Sequence, residues 1–293
     1  MPDAITVVVP TRDRPELLDR CLAALSRELA DGDRLVVVDS APARSPADAV
    51  AARWGAQLVS LSVAGASRAR NAGWRAATTR RVAFVDDDVM VGPGWRREIA
   101  AVDADFVLGS VGQEAAAVDH PLGTTDATAG VVDRSGPLQP GVSGNLLVAR
   151  VALEEVHGFD EGLGPGTWFA AAEDLDLFDR LVAVGCTGRI QPSAAATHVQ
   201  WRDSRQTLRT YWCYGKGMGA RLSRLARTDR ARARALLPGV VRLGGVRTAA
   251  ADVRSGTPRD GRRSWGPPIV WRLGALAGLL VGFVRLPARP SGG

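Results

Sequence analysis

The chain has 293 residues, 46% of them hydrophobic, which is enough for a full α/β core and ordinary for a globular protein. The net charge of +6 hides an asymmetry: residues 1–200 carry 18 Arg against 27 Asp and Glu, a net −9, while residues 201–272 carry 17 Arg and Lys against 4 Asp, a net +13. An acidic body with a basic tail argues against a chain-wide nucleic-acid binder and for a local surface that meets anionic lipid or polyphosphate. Cys21, Cys186 and Cys213 form no C-x-x-C or C…H spacing, so neither a disulfide framework nor a zinc site is indicated, and a reducing compartment fits. Asp3 leads straight into the first apolar run without signal architecture, so the sequence predicts a non-secreted, cytoplasmic protein.

Ile5-Thr6-Val7-Val8-Val9 is a β-branched run that predicts a strand ended by Pro10, and Pro15-Glu16-Leu17-Leu18 opens a helix with Leu18, Leu22 and Leu25 on one face. The loop between them, Pro10-Thr11-Arg12-Asp13-Arg14, offers backbone donors and two guanidiniums beside a helix start, a setting that suits an anionic ligand or plain solvent. Residues 35–38 predict a second buried strand ending at Asp39, placed either for a ribose contact or for capping the turn. A helix over 47–54 and a short strand over 57–61 follow. Residues 65–73 then put small residues in helical context with Arg68 and Arg70, which suit a diphosphate or the carboxylates at the strand ends.

Val82-Ala83-Phe84-Val85 predicts a buried strand that stops at Asp86-Asp87-Asp88. Alternation along an extended backbone places Asp86 and Asp88 on one side and Asp87 on the other. Two converging carboxylates repel unless a cation lies between them, so a divalent metal at the carboxyl end of the strand is expected, with an acidic turn facing water as the alternative.

Val7-Val8-Val9-Pro10-Thr11-Arg12, Val37-Val38-Asp39-Ser40, Ser67-Arg68-Ala69-Arg70-Asn71-Ala72-Gly73 and Phe84-Val85-Asp86-Asp87-Asp88 resemble, in order and spacing, family 2 glycosyltransferases. The resemblance implies an α/β fold of the GT-A, Rossmann-like kind, a mostly parallel central sheet flanked by helices. It divides a catalytic domain at 1–205 into a nucleotide-binding half, 1–110, and an acceptor half, 111–205. It also implies that Pro10, Thr11, Arg12, Asp39, Arg68, Arg70, Asn71, Asp86 and Asp87 serve a nucleoside-diphosphate sugar donor, and that Asp86 and Asp88 hold Mn2+ or Mg2+ as the family's D-x-D pair.

Residues 111–140 are rich in Gly, Ala, Thr and Pro and carry no readable periodicity; by position they resemble the region where members differ in acceptor recognition. Ser143-Gly144-Asn145-Leu146-Leu147-Val148 predicts another strand, and the resemblance brings Gly144 and Asn145 to the sugar, with Trp168 and Glu173 on the acceptor side. Ala172-Glu173-Asp174-Leu175 opens a helix with Leu177, Phe178, Leu181 and Val182 inward. Acids in a first turn suit the helix dipole whatever their role, and Asp176 and Asp179 read as solvated or helix-start acids. By resemblance Glu173-Asp174 is the family's E-D motif, with Asp174 the general base. His198, after a predicted strand, is by the same resemblance a further metal or diphosphate ligand, and otherwise a structural histidine. Gln206-Thr207-Leu208-Arg209-Thr210, with Trp212 displaced by two, departs from the Q-x-x-R-W of processive members, so transfer is expected to be non-processive.

Residues 206–293 predict a helical, Arg-rich extension, with helices over 219–225 and 230–237 broken at Pro238, and an apolar segment over 268–286. The uncharged run 273–284 is too short to span a bilayer, while Gly274, Gly278 and Gly282 suit close helix packing in a membrane. The expectation is a helix lying in the inner leaflet with its Arg-rich flanks on anionic lipid, which places the protein peripherally on the inner face of the cell membrane; a helix packed on the body or on a second copy is the alternative. The combined expectation is inverting sugar transfer from a nucleotide-sugar donor to a hydroxyl acceptor, lipid-linked or otherwise, with no nucleic-acid partner. A catalytically inactive membrane-associated scaffold and a nucleotidyltransferase are the rival readings.

Overall fold

The computed structural model describes residues 3–40, 46–114, 128–135, 141–199, 204–243 and 266–286; much of the stretch 111–140, including 115–127 and 136–140, lies outside them. Strands β1 (Ile5–Thr11), β2 (Arg34–Asp39), β3 (Gln57–Ser60) and β4 (Arg81–Val85) pair in parallel in the order β3-β2-β1-β4. The sheet continues through β8 (Asn145–Ala149), β6 (Phe106–Gln113), β9 (Gly188–His198) and β5 (Val89–Val91), with β7 (Gly130–Val132) also on β9. β8 runs antiparallel between β4 and β6, whereas β6 and β9 run parallel. The mostly parallel α/β sheet that the family resemblance implies is therefore present.

Alternation along the central strands supplies two cores. Val8, Val36, Val38 and Phe84 face α3 (Ala66–Ala76) and α6 (Glu173–Ala183), while Val7, Val9, Val37 and Val85 face α1 (Pro15–Ser26), α2 (Ala47–Arg53) and α4 (Trp95–Ala100). α1 presents Leu18, Cys21, Leu22 and Leu25 at helical spacing, with Pro15 fixing its start. Gly73 lets α3 sit directly on the sheet, since a β-carbon there would overlap the Val8 side chain. Pro10 does not end β1. Pairing to β4 stops at Val8 while pairing to β2 continues to Thr11, so the missing N–H falls where the strand has a neighbour on one side only. At the base of the sheet Arg96 holds fully buried Asp33 with two hydrogen bonds, 2.6 and 2.9 Å.

The C-terminal residues form α7 (Ser204–Thr228), α8 (Arg230–Leu243) and α9 (Gly266–Arg285). Pro238 sits inside α8; it costs one intrahelical hydrogen bond, offset by Leu236 and Val240, which bury against α7 and α9. α7 is clamped to α6 by ion pairs from Arg224 to Asp176 and from Arg221 to Asp179, and Arg224 also pairs with Asp160 in the loop ahead of α6. Asp176 is thus buried and Asp179 largely so, both paired; of the two expectations, solvated or helix-start acids, the solvated one fails. α9 lies along α7 through glycines: a β-carbon at Gly215, Gly219, Gly274 or Gly278 would overlap backbone of the facing helix. The glycine stripe read as a membrane packing face is occupied within the chain, and no described helix is long and apolar enough to cross a membrane.

Candidate active site

The acids at the end of β4 do not continue the strand. β4 stops at Val85, and Asp86 opens a turn closed by the Val89 N–H donating to the Asp86 carbonyl at 2.9 Å. The alternation expected for Asp86 and Asp88 therefore fails: Asp87 and Asp88 share Arg14, and Asp86 turns to Arg70. Asp87 is buried and accepts from the Thr11 hydroxyl at 2.7 Å and pairs with Arg14 at 2.6 Å. Asp88 takes the other arm of Arg14 at 3.0 Å and faces His198, Oδ2 to Nε2 at 3.6 Å. Asp86 pairs with Arg70 at 2.6 Å. Among the described residues no three Asp, Glu, His or Cys groups stand together as a metal cluster.

Arg70 carries the site across to α6. Its second arm donates to Glu173 at 3.1 Å, and its guanidinium lies 5.4 Å from the centre of the Phe159 ring. Gly144 is required beside it: a β-carbon there would approach Asp86 Oδ2 to 2.8 Å. Asp174 follows Glu173, and its Oδ1 accepts the Leu175 N–H at 2.7 Å. Residues 164–172, ahead of this helix, hold Ala170 and Ala172 at φ of 61° and 70°, a left-handed backbone that alanine adopts only under constraint.

Burial without enough countercharge raises the acids. Desolvation pushes Glu173 up to about 7, with Asp174 adding to the rise and Arg70 opposing it. Asp174 is raised by burial too, against the Leu175 amide and Arg70. Burial likewise takes Asp87 to about 7 although Arg14 opposes it. Burial works against the charge on Arg70, but Asp86 and Glu173 outweigh it and hold the guanidinium protonated.

This geometry coincides with a sequence signature: residues 6–115 match the family model Glycosyl transferase family 2. The chain carries a family 2 glycosyltransferase domain. Beyond the domain, the chain is 30% identical over 223 residues to the pre-mycofactocin glycosyltransferase of Mycobacterium tuberculosis, covering 71% of this chain and 44% of that protein. It is 28% identical over 108 residues to the amylovoran biosynthesis glycosyltransferase AmsE of Erwinia amylovora, covering 34% and 40%. The chain thus spans less than half the length of these curated relatives. Among solved structures, mannosyltransferase PcManGT from Pyrobaculum calidifontis, in complex with GDP-Man and Mn2+, superposes with a TM-score of 0.59 at 16% identity, covering 97% of this chain and 88% of that one. S. aureus TarS 1-349, in complex with UDP-GlcNAc, gives 0.54 at 16% identity over 73% and 66%. At such identity the two structures establish the fold, which is the one the family resemblance implies.

Within this fold the expected site residues divide. Thr11, Arg70, Asp86, Asp87, Asp88, Gly144, Glu173, Asp174 and His198 belong to the connected group above, and Asp39 lies buried at the end of β2, aligned with Thr11 across the ladder. Asn145 does not reach a cleft. It is fully buried, its amide donates to the Ser110 and Ala194 carbonyls, and its oxygen accepts from the Trp95 indole, so it ties neighbouring strands together. Asn71 is similarly consumed, bonding Phe159, Glu161 and the Trp74 indole. Arg68 pairs at the surface with Glu161 at 3.3 Å, and Arg12 with Asp13 at 3.6 Å. Arg14, the second guanidinium of the first loop, is the site residue that the expected donor set leaves out. Pro15 at the start of α1 makes Arg14 the cap residue, and that position, more than Arg12, sets a guanidinium against the acid turn.

Proposed function

We propose that this chain transfers a glycosyl group from a nucleoside-diphosphate sugar to an acceptor hydroxyl, with inversion and without processive extension. The observation that carries the reading is the two-armed Arg70, which joins the acid turn after β4 to the E-D start of α6 and so ties the proposed donor and acceptor sides into one electrostatic unit. The glycosyltransferase relatives and the nucleotide-sugar complexes of the two structural neighbours support the same reading.

In this mechanism Thr11 and Asp39 meet the nucleotide at the carboxyl ends of β1 and β2. Asp174, oriented by the Leu175 amide, takes the proton of the attacking hydroxyl, and its raised affinity for a proton suits a base. Arg70 keeps Glu173 and Asp86 in place, and a single displacement opposite the leaving group inverts the anomeric centre. Asp88 and His198 would hold Mn2+ or Mg2+, since an oxygen and an imidazole nitrogen 3.6 Å apart suit two ligands of one cation. Such a cation supplies positive charge to the departing diphosphate.

The test is thermal stabilisation by a panel of nucleoside diphosphates, each with and without Mn2+, in the native protein and in Asp88→Ala. A shift that needs both the metal and Asp88 supports the donor site and names the base. No shift with any nucleotide, under either condition, contradicts the transferase reading.

A further inference from the structure

α9 leaves one face uncovered. Ile269, Leu273, Leu276, Leu280, Phe283 and Val284 are all exposed, from 47% at Phe283 to 85% at Val284. Their spacing gathers them into one stripe about 100° wide and about 22 Å long. The stripe lies opposite the face formed by Trp271, Gly274, Gly278 and Gly282, which is packed against α7. A continuous row of large apolar side chains on a soluble surface needs an occupant.

We propose that this face of α9 docks on an anionic membrane surface, lying in the headgroup boundary and not crossing it. Charge complementarity selects that occupant. Exposed Arg272 borders the stripe, and the Arg227 guanidinium lies 5.5 Å from the centre of the Phe283 ring at its other end. α8 exposes Arg230 and Arg234. Apolar side chains beside guanidiniums are the composition that anionic headgroups attract, at about 1 kcal/mol per basic residue near the surface. Spanning is excluded for α9 by its length and hydropathy and by its glycine face, which is locked on α7. A second copy fits less well, because two such faces would set these arginines against one another.

The placement has a consequence for the acceptor. Leu280, Val281, Val284 and Arg285 line a hollow of about 300 Å3 together with Trp168, whose loop leads into Glu173 and Asp174. With α9 on lipid, that hollow opens at the interface, where the hydroxyl-bearing head of an amphiphilic acceptor would lie. This corollary rests on the transferase reading; the membrane contact does not.

The test is co-sedimentation of the full chain with phosphatidylcholine vesicles, with and without phosphatidylglycerol, over about 0.1 to 0.5 M salt. The native protein is expected to partition only onto the anionic vesicles and to leave them as salt rises. Leu276→Ser with Leu280→Ser, and separately Val284→Glu, change only exposed positions; each is expected to lower partitioning by about tenfold or more, with the melting temperature and any nucleotide-dependent shift unchanged. Absence of partitioning by the native protein, or partitioning that the variants leave intact, overturns the proposal. So does a native dimer in solution that Val284→Glu converts to monomer, because a second copy would then cover the stripe. Since the nucleotide shift is read separately, failure of membrane docking and failure of the donor site are distinguishable.

Discussion

α6 sends its acids into two clusters that sit side by side and behave in opposite ways. Glu173 and Asp174 join Asp86, Asp87 and Asp88 around Arg14 and Arg70, five acids against two arginines. Asp176 and Asp179, a turn further on, join Asp160 among Arg180, Arg221, Arg224 and Arg232, three acids against four arginines. Burial works against the charge on Asp87, Glu173 and Asp174 in the first and on Asp176 in the second. In the second, Arg180 and Arg224 more than offset desolvation and hold Asp176 below its ordinary value. In the first the arginines are too few, and Asp87 and Glu173 rise to about 7. The saturated cluster is a clamp, and the cation-poor one is a site with electrostatic room for a metal ion and for proton transfer.

The comparison breaks most visibly if one partner is removed from the saturated cluster. Arg224→Met removes the guanidinium from buried Asp160 and leaves Asp176 with Arg180 alone, and is expected to cost about 3–5 kcal/mol, read as a lower denaturant midpoint. Little loss would mean that α7 is not clamped through these pairs. A smaller effect is expected at the other seam of α7: Gly278→Ala forces a methyl against the Lys216 carbonyl and should destabilise by about 1–3 kcal/mol. An unchanged midpoint there would show that the two helices can separate at no cost.

The pH dependence sharpens the same contrast. The native state holds a proton on Glu173 more tightly than the unfolded chain does. That contribution is complete below the ordinary value of 4.5 and is lost as pH rises to about 7. Asp176 has the reverse sign: its native value is depressed below 3.8, so its contribution is present above that pH and lost on acidification. Glu173→Gln is expected to flatten the fall in melting temperature between pH 5 and 7, whereas Asp176→Asn lowers the melting temperature at neutral pH. Equal responses in both variants would erase the distinction between the clusters.

How much of this was legible in the sequence follows from where the information is local. The β-branched runs at 5–9, 35–38 and 82–85 and the face Leu18-Leu22-Leu25 placed β1, β2, β4 and α1 because buried parallel strands and amphipathic helices need no distant partner to be recognised. β9 was expected ahead of His198 but without bounds, since Ser193-Ala194-Ala195-Ala196 carries neither β-branching nor alternation. The direction of the Asp86–Asp88 side chains was misjudged because a strand's end depends on its neighbours' register. Asn145 looked like a sugar contact, and only the three-strand context reveals that its amide is used by the fold. The glycines of α9 signalled close packing correctly; that the partner is α7 depends on a contact more than fifty residues away.

The central claim is that Asp174 is the base in a cleft that α6 shares with the acid turn. The most direct measurement is the rate of nucleoside diphosphate release from the sugar donor that the nucleotide panel identifies, over a panel of hydroxyl acceptors, in the native protein and in Asp174→Asn. Loss of about 10²–10⁴ in rate, with nucleotide affinity and melting temperature kept, is the predicted result. Undiminished turnover in Asp174→Asn would contradict the account.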